Sequence, residues 1–189
     1  MPGEVASDKK KAQEEGYKII FADESAFYLL PFVGKSFAPI NSPTMIKSRL
    51  TREHLSVISG ISADGTLYAN VHETSIDGQK AIEFLKHLLK HIPGKIMVIW
   101  DGAMIHRCKA IKEFLAECKD GRLHLEKLPA YAPELNPDEG VWQYLKCVSL
   151  KNLACQTIKQ LGKKLRKCIR QFRARKHLIK ACFARVGYI

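Results

Sequence analysis

The residues with the most chemistry in this sequence are acids that close apolar runs. IIFAD (19–23) and IMVIWD (96–101) each read as a buried strand ending on an aspartate, Asp23 and Asp101, followed by small or polar residues, Glu24-Ser25 and Gly102-Ala103. An unpaired carboxylate is costly to remove from water, so an Asp at the tip of a buried strand either reaches solvent or meets a positive charge. Ligand sites of open sheets gather at strand ends, and two neighbouring strands would bring Asp23 and Asp101 together. Carboxylates that close do not both ionise in a dry site unless a cation lies between them. With a third acid, the pair makes an all-oxygen site suited to Mg²⁺ or Mn²⁺, ions that clamp the attacking and leaving oxygens of phosphodiester chemistry.

The third acid lies in LNPDEGVW (135–142), as Asp138 or Glu139. Asn136 at N-cap, Pro137 at the first helical position and Glu139 two residues later also make a capping box, which would give Glu139 a purely structural task. At 100° per residue, Asp138 lies nearer than Glu139 to the apolar stripe of Val141, Trp142 and Leu145. Spacing leaves the two acids even. Glu24, Asn136 and His106, five residues beyond Asp101, are further polar groups expected near the site. No phosphate loop, dinucleotide fingerprint, hydrolase elbow or zincin motif occurs, which leaves metal-dependent phosphoryl chemistry ahead.

The elements that must position these acids follow from periodicity. Residues 8–16 are a polar lead-in; YKIIFADES is a strand, and AFYLLPFVGKSFAPI (26–40) reads as a strand pair turning near Val33-Gly34-Lys35. HLSVISGISADGTLYANV (54–71) forms a hairpin about Asp64-Gly65. Ala81, Leu85, Leu88, Leu89 and Ile92 then fall on one helical stripe that Pro93-Gly94 stops. A strand over 95–100, a helix marked by Ile111, Phe114, Leu115 and Cys118, and a strand in RLHLEKLP follow, with a helix from Asn136 through Leu145. Leu153, Ile158, Leu161, Leu165, Ile169 and Phe172 mark the C-terminal helical segment. The order predicts an α/β protein, a mixed sheet with helices packed on it.

Charge divides the chain unevenly. Residues 140–189 carry thirteen Lys and Arg and no acid, whereas 1–139 hold eighteen basic residues against nineteen acidic ones. Such a tail favours a polyanion, nucleic acid before membrane, with Lys163, Lys164, Arg166, Lys167, Arg170 and Arg173 as the candidate DNA contacts. The six cysteines lack zinc-finger spacing and read as reduced thiols. With no apolar run long enough to span a bilayer and no secretory leader pattern, the expected compartment is the cytoplasm.

FADES (21–25), IWDGAMIH (99–106) and LPAYAPELNPDEGVW (128–142) together resemble the three signatures of the DDE transposases, in particular the bacterial insertion-sequence family allied to the mariner elements. GKSFAPI and LSVISGISADGTLYA look like that family's second and third strands, and 37 residues separate Asp101 from Glu139. The resemblance implies an RNase H-like fold, a mixed five-stranded sheet with helices on both faces, plus basic C-terminal helices. It divides the chain into a lead-in (1–16), a catalytic core (17–150) and a basic extension (151–189). It selects Glu139 as the third acid, with Asp23, Asp101 and Glu139 holding two Mg²⁺ or Mn²⁺ ions for DNA hydrolysis and strand transfer. DNA ends and target are the implied partners, with a homodimer in the DNA complex. Helix-turn-helix modules that read element ends do not fit before Asp23, so the chain is expected to be a catalytic half: the second frame of a split element with a separately encoded helix-turn-helix subunit, a truncated relic or an expressed fragment. Gly102, Phe37 and Ala132 depart from the family pattern, where Asn, Trp and Ser are frequent. The alternatives are a catalytically silent remnant acting in DNA binding or protein association, and a stand-alone RNase H-like nuclease.

Overall fold

In a computed structural model, which describes residues 15–42, 45–47, 51–101, 108–118, 121–129 and 132–188, five strands form one mixed sheet. They are β1 (Tyr17–Tyr28), β2 (His54–Ser62), β3 (Thr66–His72), β4 (Lys95–Trp100) and β5 (Leu123–Lys127), in the spatial order β3-β2-β1-β4-β5. The β1-β2 and β2-β3 pairs are antiparallel; β1-β4 and β4-β5 are parallel. The turn at Asp64-Gly65 makes the β2-β3 hairpin, Gly65 taking the left-handed backbone (φ 84°) that the tight reversal needs. Central β4 is covered on both faces, which is why Ile96, Val98, Ile99 and Trp100 are all buried.

Helices cover both faces. On one lie α1 (Gly78–His91) and α2 (Lys109–Glu117), where Ala81, Phe84, Leu85, Leu88, Ile111 and Phe114 pack against Ile20, Ile58, Ile96 and Val98. The Asp77 side chain starts α1 by accepting from the Lys80 N–H at 2.9 Å, and the chain leaves its end through Pro93 and Gly94. The other face carries α3 (Glu139–Tyr144), its π-helical continuation Leu145–Ser149, α4 (Ile158–Arg173) and α5 (Lys176–Arg185). Leu161, Leu165, Ile169, Phe172, Ile179 and Phe183 share one core there with Phe21, Leu55, Val57 and Trp142. The basic C-terminal helices therefore bury their apolar stripe on the same sheet that carries Asp23.

Two expectations about the strands fail. Asp23 does not end its strand, because residues 24–28 keep pairing with β2 and carry β1 on to Tyr28. Residues 26–40 do not form a strand pair, and GKSFAPI is not the second strand; residues 26–28 prolong β1, and 31–39 have no strand structure. Both edges of β1 are already taken, by β2 and β4, so a further strand there has no ladder to join. The segment is instead pinned by Asn152, whose side chain accepts from the Gly34 N–H (2.9 Å) and donates to its carbonyl (3.1 Å), while the Asn152 N–H donates to the Phe32 carbonyl (2.9 Å). The lead-in to residue 14, Gly102 and His106 lie outside the described residues. All six cysteines are free thiols, Cys155 and Cys182 buried and the others half-buried.

Candidate active site

Parallel pairing runs from Tyr17 opposite Lys95 to Phe21 opposite Ile99, so Asp23 and Asp101 stand at matching positions, the second just past the end of β4. Asp23 faces the α3 side of the sheet. Its Oδ1 accepts the Glu24 backbone N–H at 2.8 Å and its Oδ2 accepts the indole N–H of Trp142 at 3.0 Å. Burial pushes its carboxyl up to about 7; the two hydrogen bonds oppose this, and the charges of Glu139 and Asp101 add to it. Both other acids are thus close enough to be felt at Asp23. Asp101 and Glu139 are exposed, the latter as the first residue of α3.

Asp138 has a different fate from its neighbour. It is fully buried, accepts the Ser59 hydroxyl on Oδ2 at 2.6 Å, and has no hydrogen-bond partner on Oδ1. Burial holds its carboxyl well above the usual range, with Asp23 and Glu139 adding repulsion and the Ser59 hydroxyl opposing. The capping box does not form as spacing suggested. The Asn136 side chain accepts from the Asp138 N–H (3.1 Å), and the Glu139 N–H goes to the Asn136 carbonyl (3.2 Å), so buried Asn136 shapes the turn entering α3. Strand alternation turns Glu24 to the face opposite Asp23, leaving its backbone N–H as its contribution.

Ser59, Trp142 as a donor and Lys146 are the functional neighbours that sequence reasoning missed. Ser59 lies directly across β1-β2 from Asp23 and is itself buried. A lone hydroxyl on the inward row Val57, Ser59, Ile61 was the available signal. Lys146 donates to the Ser25 hydroxyl at 2.7 Å and lies 5.4 Å above the Phe27 ring. The six basic candidates, Lys163, Lys164, Arg166, Lys167, Arg170 and Arg173, are all exposed on α4.

The donor chemistry around Asp23 is all carboxylate, which suits a hard divalent cation, and each Asp23 oxygen keeps a lone-pair direction beyond its single hydrogen bond. A cation there would reverse the repulsion that raises Asp23. As they stand, the side chains do not converge on one point: among the described residues, no group of three His, Cys, Asp or Glu side chains is placed to hold a metal ion.

Residues 18–162 match the family of DDE superfamily endonucleases, and the chain belongs to that family. No curated protein sequence matches it. Among solved structures, the Mos1 transposase paired-end complex with left transposon end is 17% identical, with a TM-score of 0.65, over 97% of this chain and 60% of that one. The mariner Mos1 paired-end complex with Mg is also 17% identical, with a TM-score of 0.64, over 90% of this chain and 53% of that one. The catalytic domain of Mos1 mariner transposase is 14% identical, with a TM-score of 0.60, over 97% of this chain and 89% of that domain. These likenesses establish the RNase H-like fold. The chain spans about three fifths of the length of the Mos1 transposase chain in the paired-end complex.

Proposed function

We propose that this chain is the catalytic core of an insertion-sequence transposase, cutting DNA at element ends and joining the freed 3′-OH to target DNA. The observation that supports this most is the electrostatic grouping of Asp101 and Glu139 on Asp23, with Asp23 and Asp101 at matching positions along paired parallel strands, in a member of an endonuclease family. Asp23, Asp101 and Glu139 would hold two divalent ions, Mg²⁺ or Mn²⁺. When bound, these ions supply activation of the attacking water or 3′-OH and stabilisation of the leaving oxygen. The chain's own residues do the positioning: Trp142 and the Glu24 N–H fix both oxygens of Asp23, while the Asn136 turn aims Glu139 outward from the start of α3. In this reading residues 17–150 are the core and 151–189 the basic extension. Function is in the cytoplasm, as a homodimer on DNA, with end recognition by helix-turn-helix modules outside these 189 residues.

The test is Mn²⁺-dependent nicking of supercoiled plasmid by the 189-residue chain and by Asp101→Asn and Glu139→Gln. Each variant is expected to lose activity by at least about 100-fold, the scale of removing a group that acts on the transition state. Nicking that survives Asp101→Asn refutes the assignment.

A further inference from the structure

A second feature of the molecule lies away from the carboxylates. Edge strand β3 and helix α4 enclose a groove of about 420 Å³ lined by Ala69, Asn70, Val71 and His72 on one side and by Arg166, Ile169, Arg170 and Arg173 on the other. The three arginines recur at i, i+4 and i+7, one face of a helix. They are exposed, and no carboxylate among the described residues pairs with any of them. Arg173 donates from Nε to the Leu67 carbonyl at 3.0 Å, which ties the helix end to the edge strand and leaves its two outer nitrogens outside that bond. Arg166 lies back over Gly162, whose missing side chain makes that position open: a Cβ there would come within 2.8 Å of the guanidinium. Arg173 also adds to the burial that holds His87 below its usual range, so its charge is felt across the sheet edge.

We propose that this groove is a second DNA contact, in which Arg166, Arg170 and Arg173 hold backbone phosphates of a duplex. Guanidinium forks match phosphate oxygens bidentately, and an edge strand adds outward-facing backbone N–H donors to the same wall. Position supports the occupant. Asp23 pairs across to Ser59 and Ser59 to Ala69, so the groove begins on the same cross-strand row as the carboxylate, two strand spacings or about 10 Å away. A membrane surface fits less well, because the large exposed hydrophobics, Tyr28, Leu30, Phe32, Val33, Phe37, Ile40, Met45 and Val148, belong to other segments than the two that form the groove. The proposal rests on the DNA reading above in naming its ligand, but it concerns binding and not cleavage.

The experiment is fluorescence anisotropy of a short labelled duplex with the whole chain, in EDTA, across roughly 50 to 200 mM salt. Arg166→Gln/Arg170→Gln is expected to reduce the slope of log K against log salt by about 1.8, at about 0.9 per lost phosphate contact. Lys164→Gln/Lys167→Gln, on another face of α4, is expected to change it by less than half of that. Equal effects of the two pairs would mean a diffuse positive field and overturn the proposal, as would an unchanged slope in the arginine pair. So would arginine-dependent retention on phosphatidylserine vesicles alongside an unchanged DNA slope. Should the double variant fail to fold, Arg170→Gln alone is expected to lower the slope by about 0.9. Asp101→Asn separates the two readings: nicking that survives it removes the catalytic assignment and leaves the slope experiment standing.

Discussion

Replacing Asp138 by Asn tests whether the buried acid beside Asp23 is neutral in the folded protein. The group is wholly inside, with one oxygen on Ser59 and the other unpartnered, and its carboxyl is held well above the ordinary 3.8. Above pH 3.8 the unfolded chain has released this proton and the folded chain has kept it. The folded state then binds the extra proton, so stability falls as pH rises, by up to about 1.4 kcal/mol per pH unit. Asp23 contributes in the same direction until about pH 7. His72 and His87, both held below 6.5 chiefly by burial, contribute with opposite sign, because there the unfolded imidazoles bind protons the folded ones do not. The slope of either protein alone is therefore a mixture. The difference between them isolates residue 138, since Asn keeps an oxygen for the Ser59 hydroxyl and cannot titrate. Urea denaturation from about pH 4.5 to 6.5 is expected to show Asp138→Asn gaining on the wild type by up to about 1.4 kcal/mol per pH unit. A stability gap that does not change with pH refutes the reasoning.

Two further outcomes follow from close contacts. Trp142→Phe keeps the buried ring but removes the N–H that favours ionised Asp23, so the Asp23 carboxyl is expected to titrate about one pH unit higher than in the wild type. A carboxyl-carbon NMR titration in EDTA reads this directly, and an unmoved midpoint would show that the indole does not hold the charge. Gly60→Ala places a Cβ 2.7 Å from Ile20 Cγ2 and 3.2 Å from Phe84 Cζ, side chains that are both fully buried and cannot swing into solvent. It is expected to cost about 1–3 kcal/mol in chemical denaturation, and equal stability would refute the packing account.

The parts of the fold legible in the sequence are those set by local periodicity. The β2-β3 hairpin announced itself through Asp64-Gly65 between alternating runs, and α1 through its single apolar stripe. The equivalence of Asp23 and Asp101 was legible because both end apolar runs, and parallel pairing of those runs is what aligns them. Residues 26–40 misled because their apolar content suits a strand, yet Phe37 and Ile40 are almost wholly exposed and the ladder beside β1 is full. What fixes that segment is Asn152, 118 residues from Gly34, a separation no local pattern reveals. The same applies to Ser59 and Asp138, which meet across 79 residues.

Asp138 and Glu139 show why spacing alone left the third acid open and why packing divides the pair. A helical step of 100° sends adjacent side chains to different surroundings, so two neighbouring acids at the start of α3 do not share one environment. Asp138 turns inward with the stripe of Val141 and Trp142 and is fully buried; Glu139 turns outward and is exposed. An acid without solvent or cation meets its desolvation cost by keeping its proton, and a protonated acid is a poor ligand for a metal ion. An exposed acid stays available to one. Burial thus gives a physical reason to prefer Glu139 that is independent of family resemblance, and it turns the neighbouring Asp138 into a wedge under Asp23, bound to Ser59 on the strand that pairs with β1.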